Sequence, residues 1–173
     1  FLFWTITHLA RRIMSREGEQ MSRSRMILVL GAGAIGALAY AYTDTFWFSA
    51  VEGEVYALSS MFTALVVWLM LRWEESADSP TSMRWIILIA YLMGLSIGVH
   101  ILNLLTIPAL VMIYFFRKYQ MRSAMDYFLK IVLALVVSML ILGAINGIII
   151  PYTVALGAAV DTFAVNSLGL PVN

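Results

Sequence analysis

A largely apolar run without any charged residue extends from Trp85 to Phe116. As one α-helix it would be about 48 Å long, whereas the hydrocarbon core of a bilayer is about 30 Å thick. Divided in two, it gives two short membrane crossings joined by a turn. The whole chain is 62% hydrophobic and only 12% charged, which is far more apolar than a soluble domain. The sequence therefore predicts an integral membrane protein.

Other apolar stretches approach the length that a membrane-crossing helix requires. With the long run divided, we expect about six crossings in an all-α, polytopic transmembrane helix bundle that forms a single domain over 1–173. The predicted spans are 1–10, 26–42, 55–71, 85–98, 101–116 and 127–150, followed by an outer tail at 151–173. Because the chain starts inside an apolar run without an initiator Met, we interpret it as a fragment of a longer protein.

Basic residues orient the spans, since Lys and Arg in short loops stay on the cytoplasmic side of a membrane. A hairpin that turns near Ser96 to Asn103 puts every basic residue on one side. A single crossing would put the four that follow Phe116 outside. The hairpin is therefore the better interpretation, and it assigns 43–54, 99–102 and 151–173 to the outer side.

Charge and composition exclude several classes of function. A net charge of +1 provides no electrostatic footprint for nucleic acid, and we expect no nucleic-acid partner. The absence of cysteine excludes disulfides, thiolate metal sites and cysteine nucleophiles.

A G-x-G-x-x-G pattern at 31–36 matches a dinucleotide-binding fingerprint, but it lacks a second strand ending in an acidic residue about 20 positions later. Within a membrane helix, Ala32 with Gly36 and Gly33 with Ala37 instead form small-xxx-small steps that allow close helix packing. The same spacing predicts packing grooves at Gly94 with Gly98 and at Gly143 with Gly147.

The outer loops carry acids, a histidine and an asparagine but no basic residue, and this asymmetry is the functional signal. Acids and aromatics alternate from Asp44 to Tyr56, and Glu52 converges with Glu54 only if Gly53 breaks the helix. Glu54 stands out because a carboxylate at the edge of hydrocarbon is costly unless it meets water or a cation. The alternative is that these acids are solvated loop residues.

A second polar group lies in the predicted hairpin. On a helix, Ser96, His100 and Asn103 would share one face by four-then-three spacing. The alternative is a histidine that is hydrogen-bonded to a neighbouring helix, because polar residues in spans also hold helices together.

The segments AVEGEVYAL at 50–58 and GLSIGVH at 94–100 resemble a family of bacterial multi-spanning membrane proteins, a domain of unknown function. That family is similar to the animal protein O-mannosyltransferase that modifies immunoglobulin-like, plexin-type (IPT) folds. The resemblance covers Asp44 to Phe116 and, more loosely, the NSLGLPVN tail. It implies a GT-C type glycosyltransferase in the bacterial inner membrane, with its active site on the outer, periplasmic side.

The resemblance implies transfer of a sugar, expected to be mannose, from a polyprenyl-phosphate donor to a hydroxyl of an acceptor protein. Such chemistry needs a carboxylate to take the acceptor proton and a group to receive the leaving phosphate. We assign the first role to Glu54 or Glu52 and the second to His100. Substrate binding is assigned to His100, Asp44, Asn103 and Tyr56.

No cofactor is assigned, and a divalent metal is left open for the full-length protein. Membrane lipids complete the expected partners. The family's acidic motif in the first outer loop would precede Phe1, so we expect the fragment alone to be inactive. The alternatives are a transporter segment, since acids near span ends also form midplane substrate sites, and a scaffold without chemistry.

The predicted hairpin places positions 99 and 118 on opposite sides of the membrane. In this cysteine-free background, we expect the thiol of Val99→Cys to react with an impermeant reagent from the outside and that of Lys118→Cys only from the inside. Labelling of both thiols from one side would contradict the hairpin topology.

Overall fold

A computed structural model describes residues 1–15, 21–52, 55–120, 122–169 and 171. Most of these residues are helical and none of them forms a strand, which confirms the all-α prediction. The helices are α1 (Leu2–Met14), α2 (Arg23–Ala41), α3 (Asp44–Val51), α4 (Val55–Glu75), α5 (Met83–Ile97), α6 (Ile107–Lys118), α7 (Ala124–Ala144) and α8 (Ile150–Leu168). A 3-10 helix, Ile101–Thr106, leads into α6, and a π-helical turn, Ile145–Ile149, separates α7 from α8.

Within the described chain, four helical segments are long and apolar enough to cross a membrane. They are Arg23–Ala41, Val55–Glu75, Ile101–Lys118 and Ala124–Leu168, and the shorter α5 is also apolar. Large apolar side chains point outward from these segments, among them Ile87 at 64% exposure and Leu105 at 70%. Apolar surface on this scale is expelled from water and is stable against lipid tails. The chain is therefore an integral membrane protein.

The chain divides into two compact units, Phe1–Gln120 and Met121–Asn173. In the first unit α4 is the central helix, because it packs against α1, α3, α5 and α6 and against the 3-10 helix. Its Val66 and Trp73 side chains are almost fully buried. The prediction of a single domain over 1–173 stays a prediction.

Glycines bring α1 and α2 into close contact. The pattern at 31–36 lies wholly inside α2, where Gly33 packs directly against Thr7 and Phe3 of α1. A Cβ added to Gly36 would lie 2.7 Å from Cδ1 of Ile6. Helix packing, and not a nucleotide-binding turn, therefore explains this pattern.

The grooves predicted at the other two glycine pairs are not formed by the described residues. A Cβ at Gly94, Gly143 or Gly147 would meet no atom within 4 Å, and at Gly98 it would meet only the Leu95 carbonyl of its own turn. Within its own compact unit, each of these glycines is exposed on the surface of its helix. Close packing at these positions stays a prediction.

The run from Trp85 to Phe116 forms the predicted hairpin. Thr106, at the end of the 3-10 helix, lies with its Oγ1 3.7 Å from Sδ of Met93 in α5. At the end of α6, Arg117 Nε donates to the Glu74 carbonyl (3.0 Å), and Lys118 Nζ donates to the Ala77 carbonyl (3.0 Å). Because α5 starts at Met83, a short turn after α4 ends at Glu75, both ends of the run lie near the C-terminal end of α4, which confirms that the chain turns back.

The second unit is a helix interrupted only by its π-helical turn. Pro151 has no N–H to donate, and its ring crowds the carbonyl four residues earlier. The wider turn accommodates this ring, since the Ile150 N–H donates to the Ile145 carbonyl five residues back. The helix then continues to Leu168, through the residues for which the sequence predicts an outer tail. The membrane side of this tail stays a prediction.

The contact between α1 and α2 can be tested by substituting two glycines of one helix. We expect Gly33→Ala to lower the free energy of unfolding by about 1–3 kcal/mol, because the new methyl group overpacks the interface with Thr7. Gly31→Ala is the matched control, since its Cβ would meet no described atom within 4 Å. Thermal unfolding in detergent measures both, and equal melting temperatures would show that the contact is loose.

Candidate functional site

The first part of the acidic segment forms the short helix α3, which packs against α2 and α4. Thr43 caps this helix, its Oγ1 accepting the Phe46 N–H at 3.4 Å. Asp44 lies in the first turn, where a carboxylate interacts favourably with the helix dipole. Glu52 follows the last turn and is exposed. The helix rise separates Asp44 from Glu52 by about 12 Å, so α3 does not bring these two acids together.

The second part of the acidic segment contains the leading catalytic candidate. Gly53 and Glu54 lie outside the described residues, so the catalytic role of Glu54 stays a prediction. The described chain resumes at Val55, and Tyr56 lies in the first turn of α4 with 44% of its surface exposed. Tyr56 is thus the first site candidate after Glu54 that the structure describes.

His100 contacts Tyr56 at the turn of the hairpin. The centroids of the two rings are 5.2 Å apart, and the ring planes are inclined by 46°. His100 also caps the 3-10 helix, because its Nδ1 accepts the Leu102 N–H at 3.1 Å. A neutral imidazole that accepts at Nδ1 carries its hydrogen on Nε2. The structure therefore places the His100 imidazole, with its Nδ1 engaged by a backbone N–H, beside Tyr56.

Asn103 lies at the centre of a buried polar network and is fully inaccessible to solvent. Its Oδ1 accepts from Thr63 Oγ1 of α4 (2.9 Å), and its Nδ2 donates to Ser96 Oγ of α5 (2.7 Å). Ser96 in turn donates to the Met93 carbonyl at 2.8 Å. The amide thus ties the hairpin turn to two helices, and direct contact of Asn103 with substrate stays a prediction.

The helical face predicted for Ser96, His100 and Asn103 is only partly formed. Ser96 and Asn103 meet, but the helix ends at Ile97, and His100 adopts an extended backbone with φ −161° and ψ 134°. This change of direction turns the imidazole toward Tyr56 while the other two side chains remain buried. A helical spacing argument fails here because the helix it assumes has already ended.

Sequence reasoning missed two partners of this network, Thr63 and Thr106. Thr106 Oγ1 donates to the Asn103 carbonyl at 2.7 Å, so both the main chain and the side chain of Asn103 are held. The available signal was the hydroxyl of Thr63 within a span that is otherwise strongly apolar near its centre. Polar side chains inside membrane spans commonly form hydrogen bonds between helices.

The described part of the chain contains no cluster of three His, Asp or Glu side chains that are close enough together to bind a metal ion. The described neighbour of the His100 ring is an aromatic side chain. A divalent metal in the full-length protein therefore stays open.

Several apolar helices, including a helical hairpin with a polar site at its turn, define this chain as a polytopic α-helical membrane protein. Residues 1–123 match the family described as Protein O-mannosyl-transferase TMEM260 N-terminal domain, and the chain belongs to this family. The match includes α1 to α6 and all six candidate site residues, and it ends just before α7. The expected relationship to the animal O-mannosyltransferase is thereby confirmed. No curated protein and no solved structure matches the chain.

Removing the Asn103 amide should destabilise the turn of the hairpin. We expect Asn103→Ala to lower the free energy of unfolding by about 2–4 kcal/mol, because it removes the hydrogen bonds to Thr63 and Ser96 and opens a cavity at a fully buried position. The exposed Asn166→Ala is the control, with an expected change of about 0.5 kcal/mol or less. If chemical denaturation gives the same midpoint for both variants, Asn103 does not hold the turn.

Proposed function

We propose that this chain is part of a GT-C type membrane glycosyltransferase that transfers mannose from a polyprenyl-phosphate donor to a protein hydroxyl. Membership of the O-mannosyltransferase family supports the sugar and the acceptor class. The observation that carries the site is the contact of His100 with Tyr56, which lies two residues after Glu54 in the sequence. We assign this end of the hairpin to the outer face of the membrane, which is the periplasmic face if the protein is bacterial.

The proposed reaction needs a base at the acceptor. Glu54 takes the proton of the acceptor hydroxyl while the hydroxyl oxygen attacks C1 of the mannose. The bond between C1 and the phosphate oxygen breaks, and the donor leaves as polyprenyl phosphate with the bonding electron pair. Glu52 is the second carboxylate of the segment and, at the exposed end of α3, is the alternative base.

The leaving phosphate needs hydrogen-bond donors. His100 is suited to this role because its Nδ1 is engaged by the Leu102 N–H, which leaves the hydrogen of a neutral ring on Nε2. A donor fixed before the reaction stabilises the developing negative charge without reorganising. Asn103 supports this role as a positioning residue, since it holds the 3-10 helix that begins next to His100.

Tyr56 and Asp44 are the remaining candidates, and their positions in the structure suggest different roles. Tyr56 contacts the imidazole and carries a partly exposed phenol, which suits a hydrogen bond to a sugar hydroxyl. Asp44 is at the far end of α3 from Glu52, so we assign it to the acceptor polypeptide and not to the anionic phosphate.

The apolar surface beside His100 suits a lipid-linked donor. Ile101 and Leu102 are about half exposed, and Leu105 is exposed to 70%. A polyprenyl tail lying against these side chains stays in hydrocarbon while its phosphate reaches the imidazole. A water-soluble nucleotide sugar would gain nothing from this surface.

The decisive experiment measures transfer of labelled mannose from polyprenyl phosphate to protein in membranes that contain the full-length protein. We expect Glu54→Gln to lower the rate by about 10²-fold or more, because the amide cannot accept the hydroxyl proton. Asp161→Asn is the matched control, since this carboxylate is exposed on α8 and lies beyond the family match. The control should transfer at the rate of the unchanged protein.

The other outcomes separate the function from the site. Transfer that survives in Glu54→Gln but is lost in Glu52→Gln would move the base to Glu52. Transfer that survives in both variants would reject the assigned site and keep the enzyme. Failure of the unchanged protein to transfer any polyprenyl-phosphate sugar would contradict the proposed function itself.

A further inference from the structure

A second polar site lies at the other end of α4, around Arg72. The helix rise from Tyr56 to Arg72 is about 24 Å. Here α1, α2 and α4 enclose a cleft of about 1310 Å³ that the sugar-transfer proposal does not use. Four arginines line it, Arg11, Arg12, Arg72 and Arg117. By the distribution of basic residues, this end of the unit faces the cytoplasm.

One part of the cleft is apolar and aromatic. The Trp4 and Trp68 rings lie 5.5 Å apart, and Val29 and Leu30 of α2 also line the wall. On α1, Trp4 precedes Arg11 by about two helical turns, and on α4 Trp68 precedes Arg72 by one. The apolar wall therefore lies on the membrane side of the arginines, which is the arrangement that an amphiphile requires.

The arginines are not all neutralised by neighbouring acids. Arg12 pairs with Glu74 at 2.6 Å, Arg72 pairs with Glu75 at 2.8 Å, and Arg117 pairs with Asp78. No carboxylate of the described chain pairs with Arg11. Among the described residues that line the cleft, Arg11 is therefore the arginine whose charge an anion can balance.

His8 provides a second feature that points to a ligand. Its Nδ1 lies 3.3 Å from Oε1 of Glu75, which orients the ring. Its Nε2 is buried and has no hydrogen-bond partner in the described structure. When the hydrogen of a neutral ring is on Nδ1, the atom that faces the Glu75 carboxylate, Nε2 is an acceptor and can take a hydrogen bond from a hydroxyl group.

We propose that this cleft binds an anionic phospholipid whose headgroup carries a hydroxyl, as phosphatidylglycerol does. The phosphate lies against Arg11, a headgroup hydroxyl donates to His8 Nε2, and an acyl chain follows Trp4 and Trp68. The apolar wall and the volume of the cleft favour a lipid over inorganic phosphate. The distance from His100 separates this lipid from the sugar donor, so the assignment does not depend on the proposed reaction.

Native mass spectrometry of the full-length protein tests the charge requirement by comparing phosphatidylglycerol with phosphatidylcholine of identical acyl chains. We expect preferential binding of phosphatidylglycerol, reduced about fivefold in Arg11→Gln and retained in Arg11→Lys. Arg84→Gln is the matched control, because this arginine stacks on Trp85 at 5.3 Å and lies outside the cleft. Arg11 makes no ion pair with a described carboxylate, so its variants should keep the melting temperature of the unchanged protein.

Phosphatidylethanol, which has the same charge but no headgroup hydroxyl, tests the role of His8. We expect weaker binding than phosphatidylglycerol in the unchanged protein and equal binding of the two lipids in His8→Phe. Equal binding of phosphatidylglycerol and phosphatidylcholine, or a preference that Arg11→Gln leaves intact, would overturn the lipid site. Displacement of the lipid by inorganic phosphate would reassign the cleft to a soluble anion, and indifference to the hydroxyl would remove His8 from it.

Discussion

A polar side chain buried within a membrane protein has no water to satisfy it, and this constraint organises the first unit. The Asn103 amide meets it by bonding to Thr63 and Ser96, which lie on two different helices. The bonds fix the 3-10 helix against α4 and α5, and that helix begins at the residue after His100. The contact of His100 with Tyr56 therefore depends on the hydrogen bonds of Asn103. A network of this kind is stable only when all its members are present.

Sequence patterns predicted the features that arise from averages over many residues. The apolar runs and the positions of the arginines were sufficient for an all-α membrane chain and for the hairpin, because lipid immersion and charge orientation act on whole segments. They failed where a single backbone angle decides the outcome. His100 leaves the helical face because its φ is −161°, and no periodicity encodes that departure. Thr63 was missed because a single hydroxyl in a span does not identify its partner.

The glycines also show that a sequence pattern does not establish a tertiary contact. Gly33 and Gly94 both belong to small-xxx-small steps, yet Gly33 touches α1 and Gly94 faces open surface. The pattern states that a helix can be approached closely, but a partner must also be present. The cleft between α1, α2 and α4 could not be predicted from the sequence for a related reason. In the sequence its arginines indicate only topology, and the packing of α1 against α4 is what brings Arg11, His8 and Glu75 to one place.

The π-helical turn at Ile145–Ile149 has a consequence for comparing this chain with its relatives. One additional residue in a turn rotates everything that follows by about 100° around the helix axis. The apolar stripe of α7 and that of α8 therefore do not continue one another around the helix axis. A heptad register that is carried across Asn146 assigns the wrong face to α8. Insertions and deletions of one residue should accumulate at this turn among homologues, because each helix keeps its own phase when the bulge absorbs the change.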